Sequence, residues 1–159
     1  MTSRVECHVR YDPEVDVALL SFTDASSSPA GRALEFDDDS GLAGLLRLDF
    51  EGQFDHLELL AARRTVPQLI AGVSPPAPGV RDYCRGVVDV HATAADEGAV
   101  RFVFDDVATT GRTYEVSVQA ESPSPLATLR YDRDSGVLHS LTLYPSGNML
   151  GDLARLTSD

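Results

Sequence analysis

The sequence predicts a mainly β protein, with antiparallel hairpins forming a sandwich or partly closed barrel and one or two short helices. Three observations predict it. Apolar and polar residues alternate at period two along much of the chain, as half-buried strands require. Acidic, glycine and proline turn signals interrupt that alternation at short intervals. Helical spacing is confined to two short stretches. The alternative is an α+β arrangement, with a fuller helix around Pro67 laid across the sheet.

The elements follow in order. Val5, Cys7, Val9 and Tyr11 alternate with Glu6, His8 and Arg10, a first strand that Asp12-Pro13-Glu14 ends, because proline fixes φ and lacks an N–H donor. Val15–Phe22 is a second apolar run, followed by a soft loop at 24–29. A third strand opens at Ala33–Phe36 and turns at Asp37-Asp38-Asp39-Ser40-Gly41, where glycine permits positive φ. Leu42, Gly44, Leu46, Leu48 and Phe50 share one face of a fourth strand, and Glu51-Gly52-Gln53 turns into a fifth from Phe54 to Leu60. Pro67 suits the first turn of a short helix through Ala71, and Ser74-Pro75-Pro76-Ala77-Pro78-Gly79 is too rich in proline for a helix or an interior strand. Short β-like runs then cover Val87–Ala92, Val100–Phe104, Tyr114–Val118, Thr128–Tyr131 and Val137–Tyr144. Breaks between them are expected at 96–98, 109–111 and 122–125, and a last helical stretch spans Asn148–Leu156.

An internal match suggests two related units. Residues Leu34–Leu42 and Leu129–Val137 share an Asp-x-Asp-Ser-Gly turn at an offset of 95 residues, with Leu46 and Leu48 opposite Leu141 and Leu143. Common hairpin chemistry and a true duplication both account for this. On the second reading, residues 1–72 and 79–159 are two β units sharing one core, joined by a linker at 73–78.

The segment Tyr11-Asp12-Pro13-Glu14-Val15-Asp16-Val17-Ala18 resembles the Tyr-Asp-Pro-Glu-x-Asp opening of the small YuzE-like bacterial family. Residues Leu48–Leu60, an acidic-glycine turn and an alternating strand, are similar to the later part of that family's pattern. The resemblance covers about residues 9–62. The chain departs from it by an additional hairpin at Asp38-Asp39-Ser40-Gly41 and by the whole second unit. The resemblance implies a small β-rich domain with no established activity, and an association with toxin-like neighbours makes a neutralising role one expectation. It carries over no catalytic residue.

Charge narrows the function classes. The chain has 159 residues, 25 acids, 13 cations that are all arginine, and a formal net charge of −12. A nucleic-acid binder needs a basic stripe, and anionic membranes repel the same charge, so neither partner is expected. The lysine-free usage suggests bacterial, GC-rich coding. The acids divide evenly, 13 with six arginines before residue 73 and 12 with seven after it, so neither half is a charged tail. No apolar leader or membrane span is visible. Cys7 and Cys84 lack CxxC spacing, and the cytoplasm is the expected compartment. No cofactor motif is present, and the oligomeric state is open.

Candidate chemistry is sparse. Asp37 and Asp39, and their counterparts Asp132 and Asp134, offer hard oxygen donors for a cation. They lack the ligand spacing of a calcium loop, and turn formation, in which Asp and Ser bond their own backbone, is the favoured explanation. Three acid/histidine pairs stand at strand spacing: Glu6 with His8, His56 with Glu58, and Asp89 with His91. Such a pair can orient an imidazole for general-base work, and any solvated sheet face also contains such pairs. If two of these strands are neighbours, a Glu/His/Arg cluster that includes Arg10 becomes a site to test. Phe50, Phe102, Phe104 and Tyr114 suit either a core or an apolar pocket. Two functions follow. One is a non-catalytic binding or accessory module whose acidic surface engages a basic protein partner. The other is a small β-barrel enzyme of cyclase or isomerase type, acting on a small apolar ligand through an acid/His pair.

Overall fold

The computed structural model describes residues 2–23, 30–104, 112–119 and 125–157. The breaks expected at 24–29, 109–111 and 122–124 lie outside them. Among the described residues ten strands form one sheet: β1 (Thr2–Asp12), β2 (Val17–Ser21), β3 (Ala30–Asp38), β4 (Gly41–Asp49), β5 (Phe54–Leu59), β6 (Cys84–Ala94), β7 (Val100–Val103), β8 (Thr113–Val118), β9 (Ala127–Asp132) and β10 (Leu138–Leu143). Their order is β3-β4-β5-β2-β1-β6-β7-β10-β9-β8 and every pairing is antiparallel. The edge strands β3 and β8 approach each other, so the sheet curls into a nearly closed barrel. The protein is mainly β, as the alternation predicts.

The two halves of the sheet repeat one connectivity. From the central β1–β6 pairing outwards, the first half runs β1, β2, β5, β4, β3 and the second runs β6, β7, β10, β9, β8. Inward residues at matching places are Leu20 and Phe102, Leu34 and Val116, Leu46 and Leu129, Leu57 and Leu141. They stand 82, 82, 83 and 84 residues apart. The offset of 95 therefore aligns the β3–β4 hairpin with β9–β10, which is the place of β4–β5. Two similar turns, rather than two equivalent strands, produce that match.

The barrel interior is filled by side chains. Val5, Cys7, Val9 and Tyr11 of β1 point inward with Leu20, Leu46, Leu57, Leu129 and Leu141, all buried. Phe22 stacks on Phe102 at a centroid distance of 3.8 Å, and Phe54 and Phe104 flank it at 5.8 and 6.2 Å. Two segments cover the ends. Helices α1 (Ala62–Thr65) and α2 (Pro67–Ile70) bury Ala62, Val66 and Leu69 where β1, β5 and β7 finish, and Gln68 Nε2 donates to the Phe104 carbonyl. At the other end a 3-10 helix at Gly151–Thr157 buries Leu153, and Ser3 Oγ donates to the Leu156 carbonyl. Pro67 starts α2, as its sequence position indicates. The extra turn α1 starts from Ala61 in the left-handed region, φ 51°.

Two aromatic and apolar expectations on β4 are corrected. Gly44, Leu46 and Leu48 do face inward, but Leu42 is 46% and Phe50 80% exposed. Phe50 lies in the turn beyond the strand end, so it lines neither core nor pocket.

Candidate functional site

The antiparallel register brings two of the three acid/histidine pairs side by side. On β1 and β6, Glu6 stands opposite Asp89, Arg4 opposite His91, His8 opposite Val87, and Arg10 opposite Arg85. These positions alternate with the buried Val5, Cys7, Val9 and Val90, so the cluster lies on the outer face of the barrel. The carboxylates of Glu6 and Asp89 face one another across the strands, an arrangement that like charge disfavours. Arg4 offsets it, with Nη1 3.9 Å from Asp89 Oδ2, and His8 Nε2 lies 3.9 Å from Glu6 Oε2. At those separations, with Arg4, Glu6 and Asp89 mostly in water, the pairs are loose.

The third pair stands apart, because β2 separates β5 from β1. Its histidine is held from both sides. Nδ1 of His56 is 2.7 Å from Asp55 Oδ2, its Nε2 is 3.6 Å from Glu58 Oε1, and Arg47 Nε donates to the same Glu58 oxygen at 3.1 Å. Arg47 is placed there by its cross-strand pairing with His56. Carboxylates therefore occupy both sides of the imidazole, which is only 15% exposed. The arrangement fixes the ring and leaves neither nitrogen open toward the barrel interior.

The acidic turns are held by their own hydrogen bonds. Asp38 Oδ1 accepts both the backbone N–H and the hydroxyl of Ser40, and Asp132 Oδ2 accepts the same two groups from Ser135. The Ser135 bonds hold the Asp132 carboxyl below its ordinary value, chiefly through the hydroxyl. Asp37 and Asp39 flank Asp38, and Asp134 follows Asp132 within these turns. Among the described residues no three histidine, cysteine or acidic side chains gather as a metal site.

The Tyr11–Asp16 motif has an architectural role that its sequence conceals. Asp12 Oδ1 accepts the Glu14 N–H and so shapes the β1–β2 turn. Asp16 adopts positive φ, 57°, and its carboxylate accepts from the Tyr11 hydroxyl at 2.8 Å and the Arg63 N–H at 3.0 Å. The turn is thereby tied to α1, and Glu14 and Val15 are left standing in solvent.

Against this turn lies the proline-rich connection, and between them runs a groove of about 510 Å³. The connection is pinned at its base, where Ser74 and Arg85 exchange both backbone bonds at 2.9 and 3.0 Å. Gly86 makes this crossing possible. A Cβ there would come within 2.3 Å of the Gly72 carbonyl oxygen. Pro13 forms one apolar wall, and Pro75, Pro76, Val80 and Tyr83 the other. Val80 and Tyr83 are exposed. Asp12, Glu14, Arg81 and Asp82 supply the charge, and Cys84 lies at the edge. Asp82 is already engaged by the Tyr83 N–H and by Arg85 Nη2 at 3.2 Å, which hold its carboxyl below the ordinary range. Sequence reading did not find this groove. Its walls lie some sixty residues apart, and only the β1–β6 register, with Tyr11 opposite Cys84, brings them together.

The two thiols differ. Cys7 is buried in the core, which pushes its thiol up to about 12, whereas Cys84 is half-buried and borders the groove. Among the described residues the Tyr131 hydroxyl and His139 Nδ1 are buried without hydrogen-bond partners. Burial raises the Tyr131 hydroxyl above its ordinary value, and its ring stacks on Tyr114 at 5.4 Å. Among the described residues no helix is long and apolar enough to cross a membrane. No family model, no curated protein and no solved structure matches the chain.

Proposed function

We propose that the protein is a non-catalytic binding module whose acidic outer surface engages a basic protein partner. The carrying observation is the division between inside and outside: described inward positions are filled by packed apolar side chains, while the histidine pairs and most of the described acids stand on outer faces and turns. A net charge of −12 spread over that exterior attracts cationic surfaces and speeds their encounter. The alternative reading is a small β-barrel enzyme acting on an apolar ligand. It requires Glu6/His8 or Asp89/His91 to reach an interior cavity, and their outward placement favours the binding role.

On the same reading the two five-strand series are one duplicated unit sharing a core, supported by their common connectivity and the 82–84 residue spacing. The YuzE-like likeness of the first series then describes half of a fused pair, and a cytoplasmic, neutralising role fits it. The test is affinity capture from the cells that make the protein. A basic protein, retained at low ionic strength and released as salt rises, is the expected result. Capture of no partner at any ionic strength counts against the module.

A further inference from the structure

The groove beside the β1–β2 turn has a composition that specifies an occupant. Resting on the binding-module reading, we infer that it receives an extended segment of the basic partner, with arginine or lysine beside proline or aliphatic residues. Pro13, Pro75, Pro76, Val80 and the single aromatic ring of Tyr83 give its sides an apolar surface on which an extended, proline-containing chain can pack. The charge balance selects a cationic segment. Asp82 is neutralised by Arg85, so the groove presents Asp12 and Glu14 against Arg81. Glu14 is exposed at the tip of the turn, and its carboxylate has no partner among the described residues. Arg81 is likewise exposed and serves as a donor to a backbone carbonyl of the occupant.

Shape points the same way. Small-molecule pockets enclose most of their ligand, whereas here Pro13, Pro75, Val80 and Tyr83 all remain exposed. A chain laid along the groove covers them while its other side stays in solvent. The walls are held ready for it: Asp16 ties one to α1, and the Ser74–Arg85 bridge ties the other to β6. Preorganisation of this kind reduces the ordering cost of binding.

Cys84 supplies the readout, since it borders the groove and Cys7 is sealed in the core. The full chain is treated with an alkylating reagent in the presence of a pool of short, end-blocked peptides that alternate arginine or lysine with proline or leucine. A second pool replaces the cations by glutamate. The expected result is that the basic pool slows Cys84 alkylation at least about tenfold at saturation and the acidic pool does not. Glu14→Arg and Val80→Ser, both at exposed positions, are each expected to weaken protection about tenfold. Matching urea midpoints establish that these variants fold. Absence of protection by the basic pool, equal protection by both pools, or protection unchanged in Glu14→Arg overturns the inference. If the captured partner binds these variants as well as the native chain, the groove assignment fails while the module stands. If the native chain captures nothing, the module itself fails.

Discussion

The two halves of the barrel share an interior and differ in their exteriors. Leu57 and Leu141 occupy matching places, and each meets an inward partner on both sides: Leu20 and Leu46 in the first half, Phe102 and Leu129 in the second. One residue further along, the outward positions diverge. Glu58 takes part in the Arg47–His56 network, whereas its counterpart Thr142 accepts a bond from Arg101 Nε at 3.2 Å. The first strand-to-strand turns diverge too. The β1–β2 turn forms a groove wall against the proline-rich connection, while the turn at Asp96–Gly98 lies near Pro145. The core thus follows from the connectivity, and the features that differ between halves are where recognition is to be sought.

Removing matched core residues tests the shared interior with the largest effects. Phe102→Ala is expected to cost about 3–5 kcal/mol and Leu20→Ala about 2–5 kcal/mol, the range for buried large-to-small changes. Urea unfolding of both variants should show one transition. Two separate transitions would mean that the halves do not share a core.

A glycine sharpens the comparison. Gly44 and Ala127 occupy matching places opposite Leu59 and Leu143. A Cβ on Gly44 would lie 2.1 Å from the Glu58 carbonyl oxygen and 2.8 Å from the Phe36 ring, yet Ala127 carries one. Gly44→Ala is expected to destabilise by about 1–3 kcal/mol, and Ala127→Gly by about 1 kcal/mol or less. Equal effects of the two would show that the strands pack alike at this level.

Smaller effects belong to the exterior. Arg47→Ala removes an ion pair that is part-exposed, so its cost at low salt is expected to stay below about 1 kcal/mol and to shrink as salt is added. The turn carboxylates titrate in acid. Asp82 and Asp132 both have folded values below the ordinary 3.8, so their stabilisation is present above that value and is lost as pH falls through the folded one. Asp132→Asn should therefore be less stable than the native chain at neutral pH and converge with it in strong acid. A difference that persists unchanged in acid would assign the effect to shape instead of charge.

Much of this architecture is legible in the chain. All ten strands fall on apolar runs bounded by turn residues, and β1 and β4 show the period-two alternation that burial on one face dictates. The repeat register is harder to read. Leu, Phe, Val and Ala replace one another freely at matched inward places, while two Asp-Ser-Gly turns in different hairpins look alike because both serve one backbone geometry. The groove and the Tyr11–Asp16 clamp are illegible for another reason: each depends on contacts between distant segments. The acid/histidine pairs were visible as residues, but whether β1 and β6 are neighbours is a fact of topology.

The measurement that tests the central claim most directly is the salt dependence of affinity between the full chain and its captured partner. Recognition through the acidic exterior requires affinity to fall steeply as ionic strength rises across the physiological range, and the groove variant Glu14→Arg should flatten that slope. An affinity independent of salt would contradict the account, since it would place the contact on apolar surface alone.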